Sequence, residues 1–175
     1  MVTNEFSHVV KISEIGNHSH NIKLSADAEA RSGLMARFDL AALDSLDAEL
    51  SLKHDAADII ATGRFSASLA QYCIATGDPV PARIDEAIHI RFIAEPTTNG
   101  EVELELAPDD CDTMFHDGQT IDLGEAVAQS LGLALHPYPR SPEAEKILRA
   151  AGVKSEGEVV PTGALAGLKD LLAKK

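Results

Sequence analysis

Between Leu46 and Lys53 every second residue is apolar: Leu46, Ala48, Leu50 and Leu52 alternate with Asp47, Glu49, Ser51 and Lys53. A period of two is strand geometry, because successive side chains leave a strand on opposite faces. This stretch therefore needs a sheet with one face on a core and the other in water. After the polar turn His54-Asp55-Ala56-Ala57-Asp58, the run from Ile59 to Tyr72 repeats the pattern, with Phe65, Ala67 and Leu69 set against Arg64, Ser66 and Ser68. The two runs read as a hairpin. Thr76-Gly77-Asp78-Pro79 is a second turn, after which Ile84, Ile88, Ile90 and Phe92 supply a further strand. Beyond the loop Pro96-Thr97-Thr98-Asn99-Gly100, Val102, Leu104 and Leu106 supply one more, opposite Glu101, Glu103 and Glu105. Neighbouring strands joined by tight turns imply an antiparallel sheet, open or barrel-like, that is wet on one side.

The flanks read differently. Phe6 to Ile12 suits a strand, Gly16-Asn17 a turn, and Asn21–Leu24 a second short strand. Ser25 is placed to cap a helix from Ala26 to Phe38, in which Ala30, Leu34, Met35 and Phe38 recur at helical spacing. Leu40–Leu43 then reads as a turn or a short helical piece. Asp122-Leu123-Gly124-Glu125 has the form of a capping box, and Leu123, Val127 and Leu131 follow as an apolar stripe. His136-Pro137-Tyr138-Pro139-Arg140 must be extended, since each proline biases its predecessor away from helix. Ser141-Pro142 has the form of an N-cap with proline at the first helical position, and Gly152 that of the stop. The expected fold class is α+β, an antiparallel sheet with an N-terminal helix and C-terminal helices. A length of 175 residues fits one domain, placed at 1–152, with a linker at 153–163. At 164–175, Leu165, Leu168, Leu171 and Leu172 with Lys169, Lys174 and Lys175 form a short amphipathic helix able to dock on the domain or on a partner.

Composition narrows the function classes. No run approaches the roughly 18 apolar residues of a membrane span, and the acidic start Met1-Val2-Thr3-Asn4-Glu5-Phe6 lacks the pattern of a secretion signal. A cytoplasmic chain without a membrane partner is expected, and Cys73 and Cys111 read as reduced thiols. The net charge of −13 works against nucleic acid, whose affinity comes largely from Lys and Arg displacing counterions. Yet the charge is segregated: residues 1–135 carry 23 acidic and 8 basic side chains, whereas 136–175 carry 5 and 7. No Lys or Arg falls between Arg91 and Arg140, a stretch holding Glu95, Glu101, Glu103, Glu105, Asp109, Asp110, Asp112, Asp117, Asp122 and Glu125. Such a stretch suits docking of a basic partner.

Signs of catalysis or metal binding are weak. His18 and His20 on one strand face would offer two imidazoles without further close ligands. The acidic stretch Asp109–Asp117, with His116, lacks the alternate spacing of a calcium loop. Cys73 as a nucleophile would need a distant partner such as His89 or His116, and no phosphate loop or nucleophile elbow is present. No cofactor is expected. Arg140, Lys146, Arg149 and Lys154 gather near one helix, whose N-terminus suits a phosphate, although pairs such as Glu143–Lys146 fit a solvated face better. With no Trp and only two Tyr, base stacking on single strands is not expected.

Two segments carry a family resemblance. Gln71-Tyr72-Cys73-Ile74-Ala75-Thr76-Gly77-Asp78-Pro79-Val80, after an alternating strand, resembles the cysteine-centred turn of the YceD family, the large-ribosomal-RNA-subunit accumulation proteins. Ile121-Asp122-Leu123-Gly124-Glu125-Ala126-Val127, continuing through Leu131-Gly132-Leu133-Ala134-Leu135 to Pro137-Tyr138-Pro139-Arg140, is similar to that family's acidic helix and proline segment. A helix like Ala28–Phe38 also sits in the expected place. The resemblance marks Gln71, Cys73, Thr76 and Pro79 in the turn, and Asp122, Glu125, Pro137, Pro139 and Arg140 in the second segment. Many relatives carry Cys-x-x-Cys in the turn, but here Thr76 stands third after Cys73. One thiolate cannot build a four-ligand zinc site, so no zinc role is carried over. The resemblance implies a non-enzymatic protein that supports accumulation of large-subunit, 23S-type ribosomal RNA. The charge pattern adds an expectation for its partners. Glu101, Glu103, Glu105, Asp109 and Asp110 would meet a basic ribosomal protein or assembly intermediate, while Arg140, Lys146, Arg149 and Lys154 would approach ribosomal RNA. The competing reading is an enzyme or metal-binding protein using Cys73 or the Asp109–Asp117 stretch.

Overall fold

The alternating runs become three long strands of one sheet. In the computed structural model, which describes residues 4–16, 19–56, 58–95 and 112–154, β1 is Val9–Lys11, β2 His20–Ser25 and α1 Ala28–Phe38. The long strands are β3 (Leu40–Asp55), β4 (Asp58–Tyr72) and β5 (Pro79–Ala94). They are followed by β6 (Asp112–His116), β7 (Thr120–Asp122), α2 (Leu123–Ala134) and α3 (Ala144–Ala150). Among the described residues the sheet runs in the order β2-β3-β4-β5-β6, and β1 pairs separately with β7.

The first four strands are antiparallel, but β6 lies parallel to β5, so the sheet is mixed and does not close into a barrel. That corrects the antiparallel expectation. A parallel neighbour needs a long crossover, and more than a dozen residues separate Ala94 from Asp112. The helices are also placed differently from the expected arrangement at the two ends. The helix α1 is inserted between β2 and β3, and β6 and β7 precede α2. The strand expected at Val102–Leu106, the loop 96–100, most of the linker 153–163, the helix 164–175, Asn17 and His18 lie outside the described residues.

The segment Leu40–Leu43 is strand rather than turn or helix. Register shifts fall between Leu40 and Ala42 and between Leu43 and Ser45, and each bulge brings one further leucine inward. Leu40, Leu43 and Leu46 are thus all buried at a spacing of three, which imitates a helical period. Beyond them the strict alternation of Leu46, Ala48, Leu50 and Leu52 faces the core as expected. These side chains join Phe65, Ala67, Leu69, Ile88, Ile90 and Phe92 in one cluster, covered by Leu34 of α1 and by Leu123, Val127 and Leu131 of α2.

Asp27, rather than Ser25, caps α1, accepting the Ala30 N–H at 2.8 Å. At α2 half of the capping box forms. Asp122 accepts the N–H groups of Gly124 and Glu125, while Glu125 turns to Arg37 of α1 through a two-bond fork of 2.8 Å each. Asp122 also accepts from the His8 N–H, the Ser7 hydroxyl and the Asn4 amide, pinning the start of the chain to α2. Gly124 permits that approach, since a Cβ there would lie 2.6 Å from the Phe6 carbonyl oxygen.

Candidate functional site at the cysteine turn

The six residues Cys73–Asp78 join β4 to β5 at the end closed by the Tyr72–Pro79 pair. The turn is held from within: the Cys73 N–H donates to the Asp78 carbonyl and the Gly77 N–H to the Cys73 carbonyl, both at 2.8 Å, and Asp78 N–H donates to the Thr76 hydroxyl at 3.2 Å. Gly77 adopts φ +76°, a conformation that glycine takes without the clash a Cβ would suffer.

The proline segment docks directly on this turn. The Gln71 amide donates to the His136 carbonyl at 2.9 Å and accepts the His136 N–H at 3.2 Å. Ile74 N–H donates to the Pro139 carbonyl at 3.0 Å. The Thr76 and Ser141 hydroxyls approach to 3.4 Å, and the Ser141 N–H donates to the Cys73 sulfur at 3.3 Å. The partners Gln71 and His136, Ile74 and Pro139, Thr76 and Ser141 keep a constant offset of 65 residues, so the two segments run alongside each other in the same direction. The structure thus brings Gln71, Cys73, Thr76, Pro137, Pro139 and Arg140 to one place.

Cys73 is buried, yet its pKa is lowered to about 6. The Ser141 N–H contributes most and the Thr76 hydroxyl next, both favouring the thiolate against burial, which pushes the other way. His89, opposite Thr62, lies ten residues along β5 from the turn, roughly 33 Å of strand. His116, opposite Ala94, is farther still. Neither is placed to act as a base for this sulfur.

Asp122 and Glu125 belong to a separate cluster. Partial burial pushes the Asp122 carboxyl up, but donors from Ser7, His8 and Asn4 outweigh it and hold the pKa below the usual carboxylate range. The Arg37 fork, despite partial burial, does the same for Glu125. Their geometry is that of a joint between the N-terminal segment, α1 and α2, with both carboxylates consumed by it.

Helix α3 starts at Ala144 after Glu143, later than the Ser141 cap expected: the Ser141 hydroxyl lies against the Thr76 hydroxyl, and its carbonyl accepts the Ala144 N–H in a turn ahead of the helix. Its Lys146 and Arg149 pair with Glu143 at 3.9 Å and Glu145 at 2.7 Å, the solvated-face arrangement. Arg140 and Lys154 are exposed and have no ion pair among the described residues. Of the acidic stretch, Asp112 lies on β6 and Asp117 closes the turn to β7, accepting the Gln119 and Thr120 N–H groups at 2.8 Å each. The Thr120 N–H is the main cause of its lowered pKa. Among the described residues no three of His, Cys, Asp and Glu gather as a metal site. Glu101, Glu103, Glu105, Asp109, Asp110 and Cys111 lie outside the described residues.

The pinning residues Ser141 and His136 were not singled out from the sequence as partners of the turn. Backbone donors and acceptors leave no residue-type signal. Exposure marks three more. Around the buried sulfur, Tyr72, Ile74 and Tyr138 stand out in solvent.

Fold and site together define an acidic α+β protein with a surface junction between a hairpin turn and a proline segment. The family model described as Large ribosomal RNA subunit accumulation protein YceD matches residues 61–172, and the chain belongs to that family. The match begins inside β4 and takes in both segments of the junction, leaving β1, β2, α1 and β3 outside it. No curated protein matches the chain, and no solved structure does.

Proposed function

We propose that this chain is a non-enzymatic, cytoplasmic factor of large-subunit ribosome production that supports accumulation of the large ribosomal RNA by binding rather than by catalysis. The family match over residues 61–172 carries the reading, since the family's description names that role. Charge supplies the division of labour. Glu101, Glu103, Glu105, Asp109 and Asp110 hold a basic ribosomal protein or an assembly intermediate, and opposite charges steer the encounter. Arg140, Lys146, Arg149 and Lys154 stand toward the RNA, within residues 136–175, where 7 basic residues outnumber 5 acidic ones. Gln71, Cys73, Thr76 and Pro79 serve as the frame that fixes the proline segment. No helix among the described residues is long and apolar enough to cross a membrane.

The test is a depletion strain assayed for the ratio of large to small ribosomal RNA. Depletion is expected to lower the ratio, and expression of the wild-type chain to restore it. An unchanged ratio overturns the reading.

A further inference from the structure

Tyrosine is scarce in this chain, and its two copies, Tyr72 and Tyr138, stand on the two segments that run together at the cysteine turn. Cys73 faces inward at 3% exposure, and its neighbours face out, Tyr72 at 46% and Ile74 at 55%. On the adjoining segment Tyr138 is 67% exposed, and Arg140, two positions on, is exposed as well. The Gln71–His136, Ile74–Pro139 and Cys73–Ser141 bonds fix the backbone on both sides of the rings. A ring on a fixed backbone has only its own rotamers left to lose on binding, which keeps the entropic cost low.

Exposed aromatic rings suit either a protein partner or unstacked bases, and local charge favours bases. The two segments of the junction, residues 71–79 and 136–154, carry Arg140, Lys146, Arg149 and Lys154 against Asp78, Glu143 and Glu145, a surplus of one basic charge within a chain of net −13. Arg140 and Lys154 have no carboxylate among the described residues to neutralise them. We propose that Tyr72 and Tyr138 form a stacking platform for unpaired bases of RNA, with Arg140 on an adjacent phosphate. This rests on the RNA half of the function proposed above and names the form of RNA and the side chains that take it. The low aromatic count argues against a long single-strand groove but not against a platform of two rings. Composition records how many rings a chain has and not that the fold sets both on one junction. Stacking is sequence-tolerant because every base has a π-face, so the platform selects unpaired regions rather than a sequence.

Fluorescence anisotropy with a short labelled RNA of mixed, non-self-complementary sequence tests this, with a duplex of equal length as the comparison. At low salt the wild-type chain is expected to bind the single strand in preference to the duplex. Tyr72→Leu and Tyr138→Leu, which keep apolar bulk but lose the ring, should each weaken binding roughly 5- to 150-fold. Tyr72→Phe and Tyr138→Phe should bind nearly as the wild type does, and Arg140→Ala should reduce the slope of log affinity against log salt by about 0.7. Equal binding of duplex and single strand, or leucine variants that bind like the wild type, would overturn the platform. So would a wild-type chain that binds no single strand at low salt, a result pointing the rings toward a protein partner. The ribosomal RNA ratio is read independently. If it falls on depletion while single-strand binding is absent, the platform fails and the broader function stands.

Discussion

The Ser141 N–H and the Thr76 hydroxyl converge on the Cys73 sulfur and bring its pKa down to about 6 despite burial. A cysteine in an unfolded chain titrates near 8.5, so the folded state binds fewer protons between these values. The sign follows from linkage: the stabilisation is fully present above about pH 8.5 and is lost as pH falls through about 6. Urea unfolding of the wild type and of Cys73→Ala across this window should give midpoints whose difference, in favour of the wild type, widens as pH rises. A difference that stays flat would mean the sulfur is a neutral thiol and the Ser141 contact a weak one. The low pKa arises without His89 or His116, which sit far along the sheet. Its consequence is structural: a charged sulfur grips the Ser141 N–H more firmly, and with it the segment carrying Tyr138 and Arg140.

Elements meet through similarly few contacts. Arg37 near the end of α1 forks onto Glu125 in the first turn of α2, with the guanidinium about one-third exposed and the carboxylate more covered. Arg37→Lys keeps the charge but loses the planar fork, and is expected to cost about 1 kcal/mol, a figure already reduced for solvent access. A double-mutant cycle with Glu125→Gln, read by thermal or urea unfolding, isolates the pair; a coupling near zero would show that apolar packing, including the Phe38 ring beside Gly132, holds the helices without it. The same joint shows what a sequence can and cannot reveal. The acid and glutamate at Asp122 and Glu125 were legible as a helix start, because capping is local. The diversion of Glu125 to Arg37 was not, since its partner lies 88 residues away. The hairpins of β3, β4 and β5 were legible from strict alternation, whereas Leu40–Leu43 misled because two bulges converted a strand into a spacing of three. At the site, Cys73 and the prolines could be picked out as a motif. Their meeting could not, because it is made by backbone groups of His136, Pro139 and Ser141 that every residue type shares.

For the molecule as a whole, the order of charge along the chain matters more than its total. The −13 comprises −15 over residues 1–135 and +2 over 136–175, and the fold places the start of the basic part on the turn between β4 and β5. Beyond a Debye length, roughly 8 Å at physiological salt, exposed charges are largely screened. A surface patch therefore acts on what touches it, and a locally basic junction can meet RNA on a chain that is acidic overall. The two halves of the proposed function are then separable. Glu101→Gln, Glu103→Gln and Glu105→Gln together remove three negative charges with little change in side-chain volume. This variant should retain fewer large-subunit proteins from lysate at low salt, as identified by mass spectrometry, while binding single-stranded RNA as well as the wild type or better. Raising the salt should erase the difference, because steering by exposed charge is lost to screening before contact is made. A variant that retained the same proteins at low salt would remove the acidic stretch from the interface. Loss of RNA binding in the same variant would show that the two charge blocks serve one continuous surface.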